Sequence, residues 1–315
     1  METNKVLPFD IAMVNAVCVN VPAILRRTQT LGTRRTFKVE SQVAAQIRAT
    51  SCLDLTTLSG ADTPERVKRL CKKALNPVDQ SILTQLGIPE RSVTVGAVCV
   101  YDAMVPIALR ALGGRIPVAA VSTGFAAGQT PFYLKLREIE TSIQRGATEI
   151  DVVITRSFVH QGKWSELYHE IKAFREVCGT RAKMKTILGV GDLEELEKIA
   201  KASIVAIMAG SDFIKTSTGF EPTNATPEAG LVMARVIRQF FEWYGIKVGL
   251  KPAGGLRFSK DALLWLSLML EELGEEWTKP ELFRLGASGL LIDLDRQLEH
   301  GATGRYSRAQ NHAMG

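Results

Sequence analysis

The chain of 315 residues lacks the patterns that would make cysteine a structural staple. Its cysteines (Cys18, Cys52, Cys71, Cys99 and Cys178) are odd in number, and no two stand at CxxC spacing. That argues against a disulfide framework and against a zinc site, so no metal is expected. Cys52 and Cys99 fall in apolar runs, where cysteine serves as a small buried hydrophobe. Apolar stretches long enough to span a bilayer are missing too, because charge or glycine interrupts each of them. The mixed, polar start from Met1 to Asp10 has no signal pattern. The final Ala313-Met314-Gly315 matches no retention or peroxisomal address. These absences point to a soluble cytoplasmic protein with no membrane partner.

Charge is also scarce as a signal. Lys and Arg number 39, Asp and Glu 33, for a formal +6. The first fifty residues hold seven basic side chains (Lys5, Arg26, Arg27, Arg34, Arg35, Lys38, Arg48) and three acidic ones (Glu2, Asp10, Glu40). Seven minus three places +4 there and leaves +2 for the remainder. Arg26-Arg27 and Arg34-Arg35 lack the interleaved aromatics of an RNA-binding surface, so nucleic acid is not expected as a partner. A modest positive field suits anionic small substrates.

What is present is apolar periodicity. Hydrophobic residues make up 46% of the chain, enough for a large core. Residues 1–50 read as mostly helical, with Pro22-Ala23-Ile24-Leu25 in one segment and Val43, Ala44 and Ile47 at helical spacing in another. They form an N-terminal helical extension packed on the main domain, with no linker of Pro, Gly or Ser between the two. Residues 51–315 change pattern. Eight short apolar, β-branched runs recur at intervals of roughly thirty residues, the cadence of βα units. They are Cys52–Leu58, Val93–Val100, Pro117–Thr123, Glu149–Ile154, Met184–Leu188, Phe213–Thr218, Val248–Ala253 and Leu282–Ser288. Helices are expected between them at Glu65–Ala74, Tyr133–Arg145, Lys163–Val177, Leu193–Ala202, Glu228–Trp243 and Lys260–Leu273. An open dinucleotide-binding sheet would carry GxGxxG after its first strand. Here the first run leads into Thr56-Thr57-Leu58-Ser59-Gly60. The fold class is therefore α/β, a closed (β/α)8 TIM barrel with a short C-terminal tail.

Functional side chains of such barrels gather where the strands end. Five charges inside the expected strands stand out: Asp54, Asp151, Lys185, Lys215 and Lys251. An unpaired ion in a sealed barrel costs several kcal/mol, so five together are hard to excuse as structure alone. Three lysines face two aspartates, and the balance is even if one lysine is neutral. Lys215 lies in Asp212-Phe213-Ile214-Lys215-Thr216-Ser217-Thr218-Gly219, a strand running into a glycine turn. A free lysine is neutral about once in 2,500 at pH 7. Burial and a neighbouring ammonium both raise that fraction. A neutral lysine is the nucleophile that forms a Schiff base with a carbonyl. Lys215 fits as nucleophile, Lys251 as perturbing cation, and Asp151 as proton shuttle through water. Structural ion pairing of the same residues is the competing reading.

Phosphate sites in barrels commonly use the loops after strands seven and eight. This chain has Gly254-Gly255-Leu256-Arg257 and Gly286-Ala287-Ser288-Gly289 there, each leading into a helix. Glycine lets backbone N–H groups approach an anion, and a helix N-terminus favours it. Thr218 and Gly219 offer a third approach after strand six. The plain alternative is that the glycines only make tight turns.

Together these stretches resemble the deoxyribose-phosphate aldolase family. The resemblance is carried by Asp54-Leu55-Thr56-Thr57-Leu58-Ser59, Ala97–Tyr101, Thr148–Ile154, Asp212–Gly219, Lys251-Pro252-Ala253-Gly254-Gly255 and Leu285–Ser288. It spans about residues 22–306, and the N-terminal extension is similar to that of the animal-type enzymes. It implies a class I aldolase that needs no metal or cofactor. The reaction would split 2-deoxyribose 5-phosphate into acetaldehyde and glyceraldehyde 3-phosphate, and reverse. Small phosphorylated sugars and aldehydes would be its partners, with homo-oligomerisation left open. Lys215 matches the Schiff-base lysine, Lys251 the second lysine and Asp151 the proton-relay aspartate. Asp54 and Thr56 match substrate-side positions, and Lys185 joins them with the phosphate-loop residues.

Three positions depart from the family pattern. Phe220 stands where Lys is common, Gly289 where Ser or Thr is usual, and Ala126 where Pro is usual. The loss of a cation at Phe220 implies a weaker preference for phosphorylated substrates. Bacterial relatives use a C-terminal tyrosine; Tyr306 is not terminal and inherits no role. Another Schiff-base aldolase on the same barrel, or a silent barrel that only binds, remain the alternatives.

Overall fold

Eight parallel strands alternate with helices in the computed structural model, which describes residues 3–34, 36–308 and 312. The strands are β1 (Leu53–Thr56), β2 (Ala97–Tyr101), β3 (Val118–Ser122), β4 (Glu149–Val153), β5 (Lys183–Ile187), β6 (Phe213–Lys215), β7 (Gly249–Lys251) and β8 (Leu285–Gly286). They pair in the order β7-β6-β5-β4-β3-β2-β1-β8. Parallel bridges Leu250↔Phe283 and Ala253↔Gly286 join the two ends and close the ring. The expected barrel is thus the fold.

Alternation along each strand sorts the side chains. Leu53, Leu55, Val98, Val100, Val118, Ala120, Ile150, Val152, Met184, Ile214 and Leu250 belong to the main core shared with the surrounding helices. The alternate positions of β2 and β3, Cys99, Ala119 and Val121, form a separate apolar cluster with Leu58, Tyr101 and Phe125. Period-two geometry requires this division, because successive residues of a strand face opposite sides. The interior positions of the other strands carry the charges.

Most expected strands are longer than the observed ones. The run Val93–Gly96 precedes β2 as a loop, and Val93 packs with Val78, Ile82, Leu83 and Leu298 in a satellite core. Its apolarity serves that packing rather than the ladder. The expected helices form at Pro64–Leu75, Phe132–Gln144, Trp164–Cys178, Leu196–Met208, Pro227–Tyr244 and Ser259–Leu273. The fourth starts late because Glu194 takes φ 57, a left-handed angle that ends the preceding short turn. A further helix, Val105–Leu112, was not foreseen.

The N-terminal residues run over the barrel's outer helices as three helices, Ile11–Asn15, Val21–Leu31 and Val39–Ser51. Asn4 ties the segment down. Its backbone N–H donates to Asp212 Oδ1 at 2.7 Å, and its side chain donates to the carbonyls of Ser211 and Lys247. One arginine of each basic pair is engaged on helix Ser259–Leu273. Arg27 meets Glu271 at 2.5 Å and Glu272 at 3.3 Å, and Arg34 meets Glu271 at 3.0 Å. Arg35, Met1 and Glu2 lie outside the described residues, as do Ala313, Met314 and Gly315. Tyr306 is exposed and stacks on His300. Among the described residues no helix is long and apolar enough to cross a membrane.

Candidate active site

Lys215 ends β6 and Lys251 ends β7, and the two are register partners. Both donate to the same atom, Asp151 Oδ2, at 2.8 Å each. Asp151 lies on β4, opposite Lys185 of β5, whose Nζ donates to Asp151 Oδ1 at 3.0 Å. Lys251 also sits 2.5 Å from Asp54 Oδ2, an ion pair whose angles fall short of a hydrogen bond. The five charges flagged in the sequence are therefore one cluster. Lys185, Lys251, Asp54 and Asp151 are 0% exposed and Lys215 is 3% exposed. Of these five, Lys215 alone keeps any solvent exposure.

Two members of the cluster were missed. Glu149 opens β4 and contacts Lys185 at 2.5 Å. Arg284, just before β8, pairs with Asp54 at 2.7 Å and Glu149 at 2.9 Å. Both are charges inside expected strands, so the rule that flagged the other five would have found them. Asp54 and Lys185, expected on the substrate side, lie wholly within this network. Lys185 faces Glu149, Asp151 and Asp54, the last at 3.8 Å.

Geometry decides which amine is most easily neutralised. Burial is the largest influence on Lys215 and lowers its pKa; Asp151 opposes this, and Lys251 reinforces it, and the net direction is down. Burial acts on Lys251 and Lys185 in the same sense. There it is overcome, by Asp151 and Asp54 at Lys251 and by Asp151 and Glu149 at Lys185, so both are raised. Burial alone would raise Asp151, but Lys185, Lys215 and Lys251 hold it well below the usual carboxylate range. The arrangement is an ionised aspartate between a firmly held cation and an amine that gives up its proton more readily than an ordinary lysine.

Above Lys215 the wall is aromatic. Its Nζ lies 5.9 Å from the Phe125 ring centroid. Phe125 packs edge-on against Tyr101 and against the exposed Phe220. Arg156 holds the loop after β3 by donating to the carbonyls of Ala126 and Ala127.

The loops expected to bind phosphate are partly occupied by the protein's own groups. Gly219, Gly254 and Gly255 take φ values of 94, 79 and 80, which favour glycine. Gly286 leaves room for the second lysine, since a methyl there would stand 3.4 Å from Lys251 Cε and 2.8 Å from Ala253 Cβ. Ser288 is used structurally: its Oγ accepts from Thr56 N–H at 2.9 Å and donates to the Thr56 carbonyl. Thr56 Oγ1 donates to the Asp54 carbonyl. The Thr218 N–H and hydroxyl both donate to Glu221, at 3.0 Å. Asp261 accepts from the N–H groups of Arg257 and Phe258, so the backbone at Arg257 is already occupied. Helix Leu290–Thr303, after Gly289, has no side-chain cap, and its N-terminus is the open one of the set.

The chain is similar to several known proteins. A family model described as DeoC/LacD family aldolase matches residues 48–267. The chain is 52% identical to deoxyribose-phosphate aldolase of Bos taurus over 95% of its length and 94% of the bovine protein. It is 52% identical to that of Homo sapiens, covering 96% of each. Among solved structures it is similar to a putative deoxyribose-phosphate aldolase from Toxoplasma gondii, with TM-score 0.70 at 22% identity, over 84% of this chain and 97% of that one. The tetrameric deoxyribose phosphate aldolase of Aeropyrum pernix gives TM-score 0.61 at 21% identity, over 85% and 100%.

Proposed function

The chain belongs to the DeoC/LacD family of aldolases, and from that premise we infer a lyase whose imine forms on Lys215. It cleaves 2-deoxy-D-ribose 5-phosphate to acetaldehyde and D-glyceraldehyde 3-phosphate, and joins them in reverse. The observation that carries the assignment of Lys215 is the shared contact of Lys215 and Lys251 with Asp151 Oδ2.

The neutral Lys215 amine adds to the C1 aldehyde of the open-chain sugar. Loss of water gives a protonated imine, which draws electrons from the C2–C3 bond. The C3 hydroxyl gives up its proton as that bond breaks, releasing glyceraldehyde 3-phosphate and leaving an enamine. Protonation at C2 and hydrolysis then free acetaldehyde and restore the amine. Asp151, bridging both lysines, passes protons between them and water at the reacting atoms. Lys251 stays charged and keeps Lys215 from holding its proton. Borohydride added with substrate should fix a covalent adduct on Lys215, absent in Lys215→Met. An active enzyme in which Lys215 is never trapped would overturn the assignment.

The phosphate end supports a reduced demand for phosphate. A carboxylate, Glu221, already sits on the Thr218 N–H and hydroxyl, and Phe220 beside it is exposed and apolar. The N–H of Arg257 is likewise taken. We expect kcat/KM for deoxyribose 5-phosphate to exceed that for deoxyribose by no more than about tenfold, or ~1.4 kcal/mol. A ratio of about a thousandfold would refute this. The chain's small-molecule substrates are sugars and aldehydes. Assembly into oligomers, as the Aeropyrum pernix enzyme shows for itself, is proposed here only by analogy.

A further inference from the structure

We infer that Glu149 and Arg284 are positioning residues that set the proton state of Lys215 through the charge balance of the barrel interior. This rests on Lys215 being the reacting amine. Neither residue stands at the C-terminal end of a strand: Glu149 opens β4 and Arg284 precedes β8. They sit below the reacting end, where Gly96 and Gly249 make space. A methyl on Gly96 would stand 3.1 Å from Arg284 Cδ, and one on Gly249 would strike the Phe213 ring, over which the Arg284 guanidinium lies at 6.0 Å.

Four cations (Lys185, Lys215, Lys251, Arg284) and three carboxylates (Asp54, Glu149, Asp151) share one sealed volume. All ionised, they sum to +1, and with one cation neutral they sum to zero. Partner number selects which cation yields. Lys185 lies near three carboxylates, Lys251 and Arg284 each near two, and Lys215 near Asp151 alone. Lys215 is therefore the site where a proton is least retained. Glu149 matters because it occupies Lys185 and Arg284 from below, and Arg284 because it shares Asp54 with Lys251. The groups facing Lys215 are Asp151 on β4, Lys251 on β7 and the thiol of Cys99 on β2, whose pKa burial raises so that it stays neutral. Phe125 adds an aromatic face. None of the other groups titrates near neutrality, so the interior charge fixed by Glu149 and Arg284 is read out at Lys215.

The test compares Glu149→Gln, Arg284→Gln and the double variant with wild type, following the pH midpoint of borohydride trapping and of the acid limb of kcat/KM. Removing the carboxylate leaves the interior more positive, so Glu149→Gln should move the midpoint to lower pH by about one unit. Arg284→Gln should move it up by a similar amount, and the double variant should return near wild type. If one single variant does not fold, the other and the double differ by one charge and carry the same comparison. Midpoints that stay fixed, or move the same way in both singles, overturn the inference. Absence of any wild-type adduct on Lys215 would instead sink the imine assignment itself.

Discussion

Lys215 and Lys251 are chemically the same residue, one position from each other across a ladder, yet their surroundings assign them opposite states. Lys251 touches two carboxylates and Lys215 one. Replacing Lys251 with Met removes a cation beside Lys215 and releases Asp151 to it. Both changes strengthen the hold of Lys215 on its proton. With an effective dielectric near 20 and a separation of about 5 Å, the Coulomb change is about 3 kcal/mol, or roughly two pH units. Imine trapping in Lys251→Met should slow about a hundredfold at pH 7 and recover as pH rises toward 9. Trapping rates across pH separate this from Lys215→Met, which no pH can rescue. A loss in Lys251→Met that is equal at every pH would mean that Lys251 acts some other way. The cysteines show the converse case. Burial pushes the Cys52 and Cys178 thiols up to about 12, which keeps them inert.

At the scale of elements, short strands hold long side chains in place. Gly249 on β7 illustrates the constraint: a methyl there would meet the Phe213 ring at 2.3 Å. Gly249→Ala should lower stability by about 1–3 kcal/mol through overpacking, read as a fall in the urea midpoint with an unchanged slope. An unchanged midpoint would mean that Phe213 can move aside. Which parts of this architecture were legible follows from the same physics. Strand existence and order could be read because β-branched runs recur with helices between them. Lys215, Lys251 and Asp151 stood out because a charge in a buried strand demands an explanation. Glu149 and Arg284 obeyed that rule but sat at the starts of their strands, away from the end where function is sought. Strand limits were overestimated because apolar loops such as Val93–Gly96 pack on helices and look identical in one dimension. Glu221 was invisible for a different reason. Its contact with Thr218 is a choice of rotamer in a loop, and composition carries no trace of it.

The whole molecule is joined by the same interior ions. They come from β1, β4, β5, β6, β7 and the lead into β8, so protonating one carboxylate weakens contacts around most of the ring. Asp54, Glu149 and Asp151 are all held below their ordinary range in the folded state. Near pH 4 the unfolded chain therefore takes up protons that the folded chain refuses, and stability must fall as pH falls. Above about pH 5 these groups are ionised in both states, and their contribution is constant. Lys185 and Lys251 are raised, so their contribution is complete at neutral pH and fades only as pH climbs through their folded values. Lys215, lowered, acts oppositely. Between its folded value and about 10.5 the unfolded chain binds the extra proton, and stability rises with pH. We therefore expect urea midpoints that climb gently from neutral to mildly alkaline pH, with the climb abolished in Lys215→Met. Below pH 5 they should drop, by on the order of 3 kcal/mol before pH 2. A midpoint that held steady to pH 3 would show that the carboxylates are not ionised inside the barrel. The interior charge count, and the neutral amine derived from it, would then fail together.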